Sequence, residues 1–249
     1  MKLGRKFATL AAATLLPLAA LGFWQTSASA EGLLPVAVPA PAIDEPASGN
    51  LETAVFAGGC FWGVQGVFQH VKGVKSAVAG YAGGTEPNPT YEDVGSETTG
   101  YAESVEVKFD PSVVSYGKLL QIFFSVIADP TTLDQQGNDV GSSYRSALFV
   151  MNDAQKNVAA AYIGQLDQAH LYPSRIVTTV TPYTTFYKAE DYHQDNAFTM
   201  KVNAGYLAYF DEPKIADFKK MYADLWQKQP VLVFSSNATQ GAPQPFLTD

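Results

Sequence analysis

The chain has 249 residues, one cysteine, three histidines, 47% hydrophobic residues and a formal net charge of −8 at pH 7. The acidic balance argues against nucleic acid or an anionic membrane surface as a partner. One cysteine excludes an internal disulfide, and one cysteine with scattered histidines gives no metal-ligand cluster.

In chain order, Lys2, Arg5 and Lys6 precede an apolar stretch from Phe7 to Leu21, and Ala28-Ser29-Ala30 is a small-residue cleavage site. Residues 1–30 are therefore expected to be a cleaved secretory signal peptide, the apolar run being short for a spanning helix. The remainder is expected to be exported, and periplasmic if the source is a Gram-negative bacterium. Residues 31–50 carry Pro35, Pro39, Pro41 and Pro46 among alanines, which predicts an extended, poorly ordered Pro/Ala-rich linker. The length beyond it suits one catalytic domain, placed at residues 51–210, with appendages. Strands are predicted at 53–57, 74–81, 101–109, 144–150 and 175–181, and helices at 60–71, 115–127, 153–169 and about 192–209. Such interleaving implies a sheet with helices packed on it. Residues 211–249 are expected to be a C-terminal helix and a polar tail, the helix over Lys214–Gln227 with Ile215, Phe218, Tyr222 and Leu225 on one side. Asn237-Ala238-Thr239 matches a glycosylation acceptor triplet.

The chemistry gathers at Phe56-Ala57-Gly58-Gly59-Cys60-Phe61-Trp62-Gly63. An apolar run from Ala54 to Ala57 enters a two-glycine turn, and Val64, Val67, Phe68 and Val71 leave it at the spacing of one helix face. Cys60 reads as the first helical residue, where unpaired backbone N–H groups and the helix dipole favour a thiolate. A lone cysteine is more often a small buried hydrophobe. A strand-Gly-Gly turn beside Phe61 and Trp62 is as readily a pocket wall as core. Further on, the period of two in Tyr101–Phe109 puts Glu103 on the face of Val105, Val107 and Phe109, at the wet end of an apolar row. Such a site tends to raise a carboxyl pKa and keep the proton on.

Gly59-Cys60-Phe61-Trp62-Gly63 resembles the signature of the A-type peptide-methionine sulfoxide reductases. The likeness continues through Gly80-Tyr81-Ala82-Gly83-Gly84, Asn88-Pro89-Thr90-Tyr91, Thr99-Gly100-Tyr101-Ala102-Glu103 and Asp129-Pro130-Thr131-Thr132. It resumes at Gly137-Asn138-Asp139-Val140-Gly141, Tyr144-Arg145-Ser146 and Ala189-Glu190-Asp191-Tyr192-His193-Gln194, covering about residues 52 to 209. The resemblance implies an α+β fold: a two-layer α/β sandwich around a mixed sheet with a split βαβ, ferredoxin-like core. It implies reduction of the S epimer of methionine sulfoxide, free or in proteins, with no metal or organic cofactor, and repair of oxidised exported proteins. Cys60 would be the nucleophile that becomes a sulfenic acid, and Glu103 the acid. Tyr91 and Tyr144 would hydrogen-bond the sulfoxide oxygen, Asp139 would hold that polar network, and Phe61 and Trp62 would form a slot for the substrate methyl group. His193 is expected to be architectural.

Two departures from the family pattern matter. Tyr101 stands where the family usually has histidine, and residues 61–249 contain none of the resolving cysteines many members carry. The expectation is a one-cysteine enzyme whose sulfenic acid is reduced by an external thiol, a thioredoxin-like protein or a small thiol. A thiol peroxidase or redox sensor would also use one activated cysteine, and a non-catalytic domain could capture oxidised methionine. Neither calls for the carboxylate and tyrosine blocks.

Overall fold

The computed structural model describes Met1 and residues 35–199 and 202–234. In chain order its elements begin with β1 (Glu52–Gly58), α1 (Phe61–Gln69), β2 (Val74–Ala82), α2 (Tyr91–Gly95) and β3 (Ala102–Phe109). There follow α3 (Tyr116–Ile122), continued by a π turn over Phe123–Ile127, and a small hairpin of β4 (Gln135–Gln136) and β5 (Asp139–Val140). A 3-10 turn (Ser142–Tyr144) leads into β6 (Ser146–Val150), α4 (Asp153–Ala169), β7 (Thr179–Pro182) and β8 (Phe186–Lys188). The described chain ends with α5 (Asn196–Thr199), α6 (Ala204–Tyr206), a π turn over Leu207–Asp211 and α7 (Glu212–Met221). The expected signal peptide, the glycosylation triplet and the end of the polar tail lie outside the described residues.

β1 is the strand the rest is built on. It pairs antiparallel with β3 on one edge and β6 on the other, within a six-stranded mixed sheet of order β7-β6-β1-β3-β2-β8 among the described residues. The sheet is mixed because β7 runs parallel to β6. One face of β1 sends Ala54 and Phe56 into the main core, and the other sends Val55 and Ala57 into a smaller cluster with Ala147 and Phe149. A strand covered on both faces needs apolar side chains at successive positions, which is why this stretch runs apolar without alternating. β3 shows period two: Val105, Val107 and Phe109 face the main core.

α1 is buried along its whole length, not only on the predicted face. Two features make that possible. Gly63 and Gly66 leave no Cβ, so Asp211 closes on the first and Ile215 and Ala197 on the second. The polar residues on the far side are engaged as well: Gln65 donates to the Ala77 carbonyl at 3.0 Å and accepts from the Asp195 N–H, and Gln69 donates to Asp195 at 2.7 Å, leaving only its Oε1 without a partner among the described residues.

Residues 211–234 belong to this same core. Ile215, Phe218 and Tyr222 are buried, and the Val231 N–H donates to the Gln69 carbonyl. The predicted helix over 192–209 is broken instead. Asp195 and Asn203 take left-handed backbone conformations (φ 58° and 48°), leaving the short α5 and α6. Asp195 spends its carboxylate on Gln69 and on the Val233 and Phe234 N–H groups, so the turn anchors the C-terminal segment.

The described part of the predicted linker differs most from expectation. It is extended, but docked against α3 and α4. Val38 is buried; its carbonyl accepts from Gln121 at 2.9 Å, that of Pro39 from the Tyr162 hydroxyl at 2.6 Å, and that of Ala40 from Gln165 at 2.9 Å. Prolines restrict the unbound chain to this extended shape and leave carbonyls free, so helix side-chain amides can hold the strap at small entropic cost. Asp44 fastens the strap to the start of α3, accepting from the Ser115 hydroxyl at 2.5 Å and the Gly117 N–H at 2.8 Å. Asp44→Ala should release that end and strip acceptors from the helix start, costing on the order of 1 kcal/mol as for lost caps generally. Calorimetry should show a Tm lower by about 2–4 °C; an unchanged Tm would show that the strap contributes nothing there.

Candidate active site

β1 delivers the chain to Gly59, whose left-handed φ of 88° packs its bare Cα against Gln136. The turn places Cys60 at the N-cap, one residue before the helix that was expected to include it. Glu103 reaches this helix start from the first positions of β3, and its Oε2 accepts the Phe61 N–H at 2.9 Å. The period-two reading put Glu103 on the core side, and there it is only 3% exposed.

Cys60, Trp62, Glu103, Tyr91, Tyr144 and Asp139 line one cavity of about 190 Å³, joined by Asn203 and Tyr206. Tyr91 opens α2, and its N–H donates to Glu190 at 2.9 Å. Tyr144 ends the 3-10 turn, and its side chain lines the cavity together with that of Tyr91. Asp139 accepts from the Tyr206 hydroxyl. Trp62 is held by its indole N–H, which donates to His193 Nδ1 at 3.1 Å, while the Tyr206 ring packs near-perpendicular to it. His193 is thus a neutral acceptor behind the wall, and burial pushes its pKa down to about 4.

The Phe61 ring is fully buried, stacked on Tyr91 and packed against His193, and its backbone N–H is held by Glu103. One expectation is corrected: the resting sulfur does not favour the thiolate. Burial pushes the Cys60 thiol well up, and the Asp211 and Glu103 charges push the same way, against the Trp62 backbone N–H and Lys214. The helix start does reach the sulfur, but loss of water outweighs it. Burial likewise raises Glu103 to about 8, against the Phe61 N–H, with Asp139, Asp211 and Glu97 adding to the rise. The pocket therefore holds a thiol beside a carboxylic acid at neutral pH.

Asn203, Tyr206 and Asp211 were missed. Asp211 is fully buried against Gly63 with both carboxylate oxygens lacking a hydrogen-bond partner, and burial lifts its pKa to about 7. No motif marks these three; reading 192–209 as one helix hid the turn that brings Asn203 and Tyr206 inward. Among the described residues, no group of three or more His, Cys, Asp or Glu side chains could hold a metal ion.

A single thiol, a protonated carboxyl and two phenols around one cavity, on an α+β scaffold, have the composition that thiol-based redox chemistry calls for. Residues 52–226 match the family described as peptide methionine sulfoxide reductase. The chain is 54% identical over 195 residues to peptide methionine sulfoxide reductase MsrA 2 of Mesorhizobium japonicum, covering 78% of this chain and 100% of that one. It is 46% identical over 197 residues to MsrA 2 of Synechocystis, covering 77% and 91%. Among solved structures, methionine sulfoxide reductase A of Corynebacterium diphtheriae is similar, with a TM-score of 0.51 and 31% identity over 65% of this chain and 85% of that one. Reduced Mxr1 of Saccharomyces cerevisiae has a TM-score of 0.53 and 31% identity, covering 62% and 88%. The chain belongs to the peptide methionine sulfoxide reductase family and is an oxidoreductase.

Proposed function

We propose that this protein reduces the S epimer of methionine sulfoxide, free or in polypeptides, through a sulfenic acid on Cys60. The observation that carries the reading is that Cys60, Glu103, Tyr91 and Tyr144 face one small cavity. The sulfoxide oxygen lies toward the phenols and Glu103, and the methyl group against Trp62. As these donors draw electron density onto the oxygen, the substrate sulfur becomes electrophilic and Cys60 attacks it. Glu103 gives its proton to the oxygen and is reprotonated by the departing thiol proton. The oxygen then moves to Cys60: a Cys60 S–O bond forms while the substrate's S–O bond and the new S–S bond break, methionine leaves, and Cys60 holds the oxygen as S–OH. Asp139, engaged with Tyr206, keeps the far wall in place.

With no second cysteine in the chain, recovery needs two external thiols, which become a disulfide and release the oxygen as water. A thioredoxin-like protein or a small thiol would serve. The charged start, apolar centre and Ala28-Ser29-Ala30 support export and repair of oxidised exported proteins, in the periplasm of a Gram-negative cell.

The test is to supply the purified protein separately with the S and R epimers of methionine sulfoxide and dithiothreitol. Turnover of the S form alone is expected; comparable rates on both would overturn the argument that Trp62 and the donors fix opposite sides of the substrate.

A further inference from the structure

The wall carrying Tyr144 is tied down by a carboxylate the mechanism above does not use. Glu97, just beyond α2, sits in the left-handed region (φ 64°) and turns its side chain onto the loop before β6. Its Oε2 accepts from the Ser142 hydroxyl and from the Ser143 N–H, both at 2.8 Å, and its Oε1 accepts from the Ser143 hydroxyl at 2.5 Å. Gly141 (φ 147°) makes room for it: a Cβ there would lie 2.3 Å from Glu97 Oε1. The Gly141 carbonyl in turn accepts the Tyr144 N–H at 3.0 Å. Burial raises the Glu97 carboxyl, but the hydrogen bonds from Ser143 and Ser142 outweigh it and leave the pKa lowered, so the clamp is ionised at neutral pH.

The same short stretch bears Tyr91 at its other end, where α2 begins and Glu190 fixes the backbone. The two phenols that line the cavity thus hang from one segment, Tyr91 directly and Tyr144 through Glu97. A non-glycine residue in a left-handed conformation, with its carboxylate meeting donors on successive residues, is more than a turn needs for itself.

We propose that Glu97 is the positioning residue of the Tyr144 hydroxyl, fixing the Gly141–Tyr144 turn to α2 and so setting the distance between the two phenols that meet the substrate oxygen. The inference rests on the reading of these phenols as sulfoxide donors. Glu97→Gln keeps the size but replaces one acceptor with a donor that opposes the serines.

The test is a double-mutant cycle on the full chain with Glu97→Gln, Tyr144→Phe and the pair, reading kcat and KM on the S epimer with dithiothreitol. Glu97→Gln should lower kcat/KM about tenfold in the parent and less than about twofold when Tyr144 is already Phe. Equal losses in both backgrounds, or none, would overturn the proposal. Ser143→Ala, which removes one donor to the same carboxylate, should act in the same direction by about threefold; full activity in that variant would count against it. Amide exchange gives an answer independent of turnover. Glu97→Gln should speed exchange at Ser143 and Tyr144 about tenfold or more, and unchanged exchange would refute the clamp even in an active enzyme. A wild-type protein idle on sulfoxide would instead refute the functional reading, and with it the role assigned to Tyr144.

Discussion

Cys60→Ser should abolish sulfoxide reduction, leaving less than about one part in a thousand of the wild-type rate. An alcohol holds its proton far more tightly than a thiol, and its oxygen cannot carry the substrate's oxygen as a sulfenic acid can. No other residue can substitute, because the chain contains one cysteine. The fold should survive, since serine is close in size to cysteine and the side chain already faces the cavity. Mass spectrometry after a single turnover without reductant checks both sides. The wild-type peptide containing Cys60 should gain one oxygen atom and the variant none. A serine variant retaining even about one per cent of the activity would remove Cys60 from the reaction.

Glu103→Gln should lower kcat/KM by about 10²–10³-fold, the range for losing a positioned general acid. The amide can still accept the Phe61 N–H, so the helix start should keep its geometry while the transferable proton is gone. The pH dependence makes the test specific. Glu103 is raised from 4.5 to about 8 and acts in its protonated form, so activity should fall as pH rises through about 8. That limb should vanish from the glutamine variant, and its persistence there would mean another group supplies the proton. Stability follows the same sign. Between 4.5 and about 8 the native protein binds a proton that the unfolded chain has released, so this residue makes the fold lose stability as pH rises across that window.

Much of the site was legible because it depends on local rules. The apolar run, two glycines and helical spacing from Ala54 to Val71 mark a strand, a turn and a helix, with boundaries close to those observed. Period two in β3 put Glu103 on the core face and gave the correct direction for its pKa. What was not legible depends on residues distant in sequence. The helix start predicted an ionised Cys60, but its charge state is decided by burial and by Asp211, a residue more than a hundred positions away that carries no motif. The break at Asp195 and Asn203 is invisible to hydrophobic periodicity, although both residue types tolerate left-handed backbone. The strap looked loose because proline-rich composition describes the unbound chain, and its partners Gln121, Tyr162 and Gln165 lie far along the sequence.

The protonated state of the resting sulfur has a consequence for the lifetime of the catalyst. Peroxides and other electrophiles consume thiolates far faster than thiols, and oxidation past the first step is irreversible for most cysteines. This chain has no second cysteine to shield the first. A buried sulfur that keeps its proton is therefore spent more slowly by such oxidants than a thiolate in the same place would be.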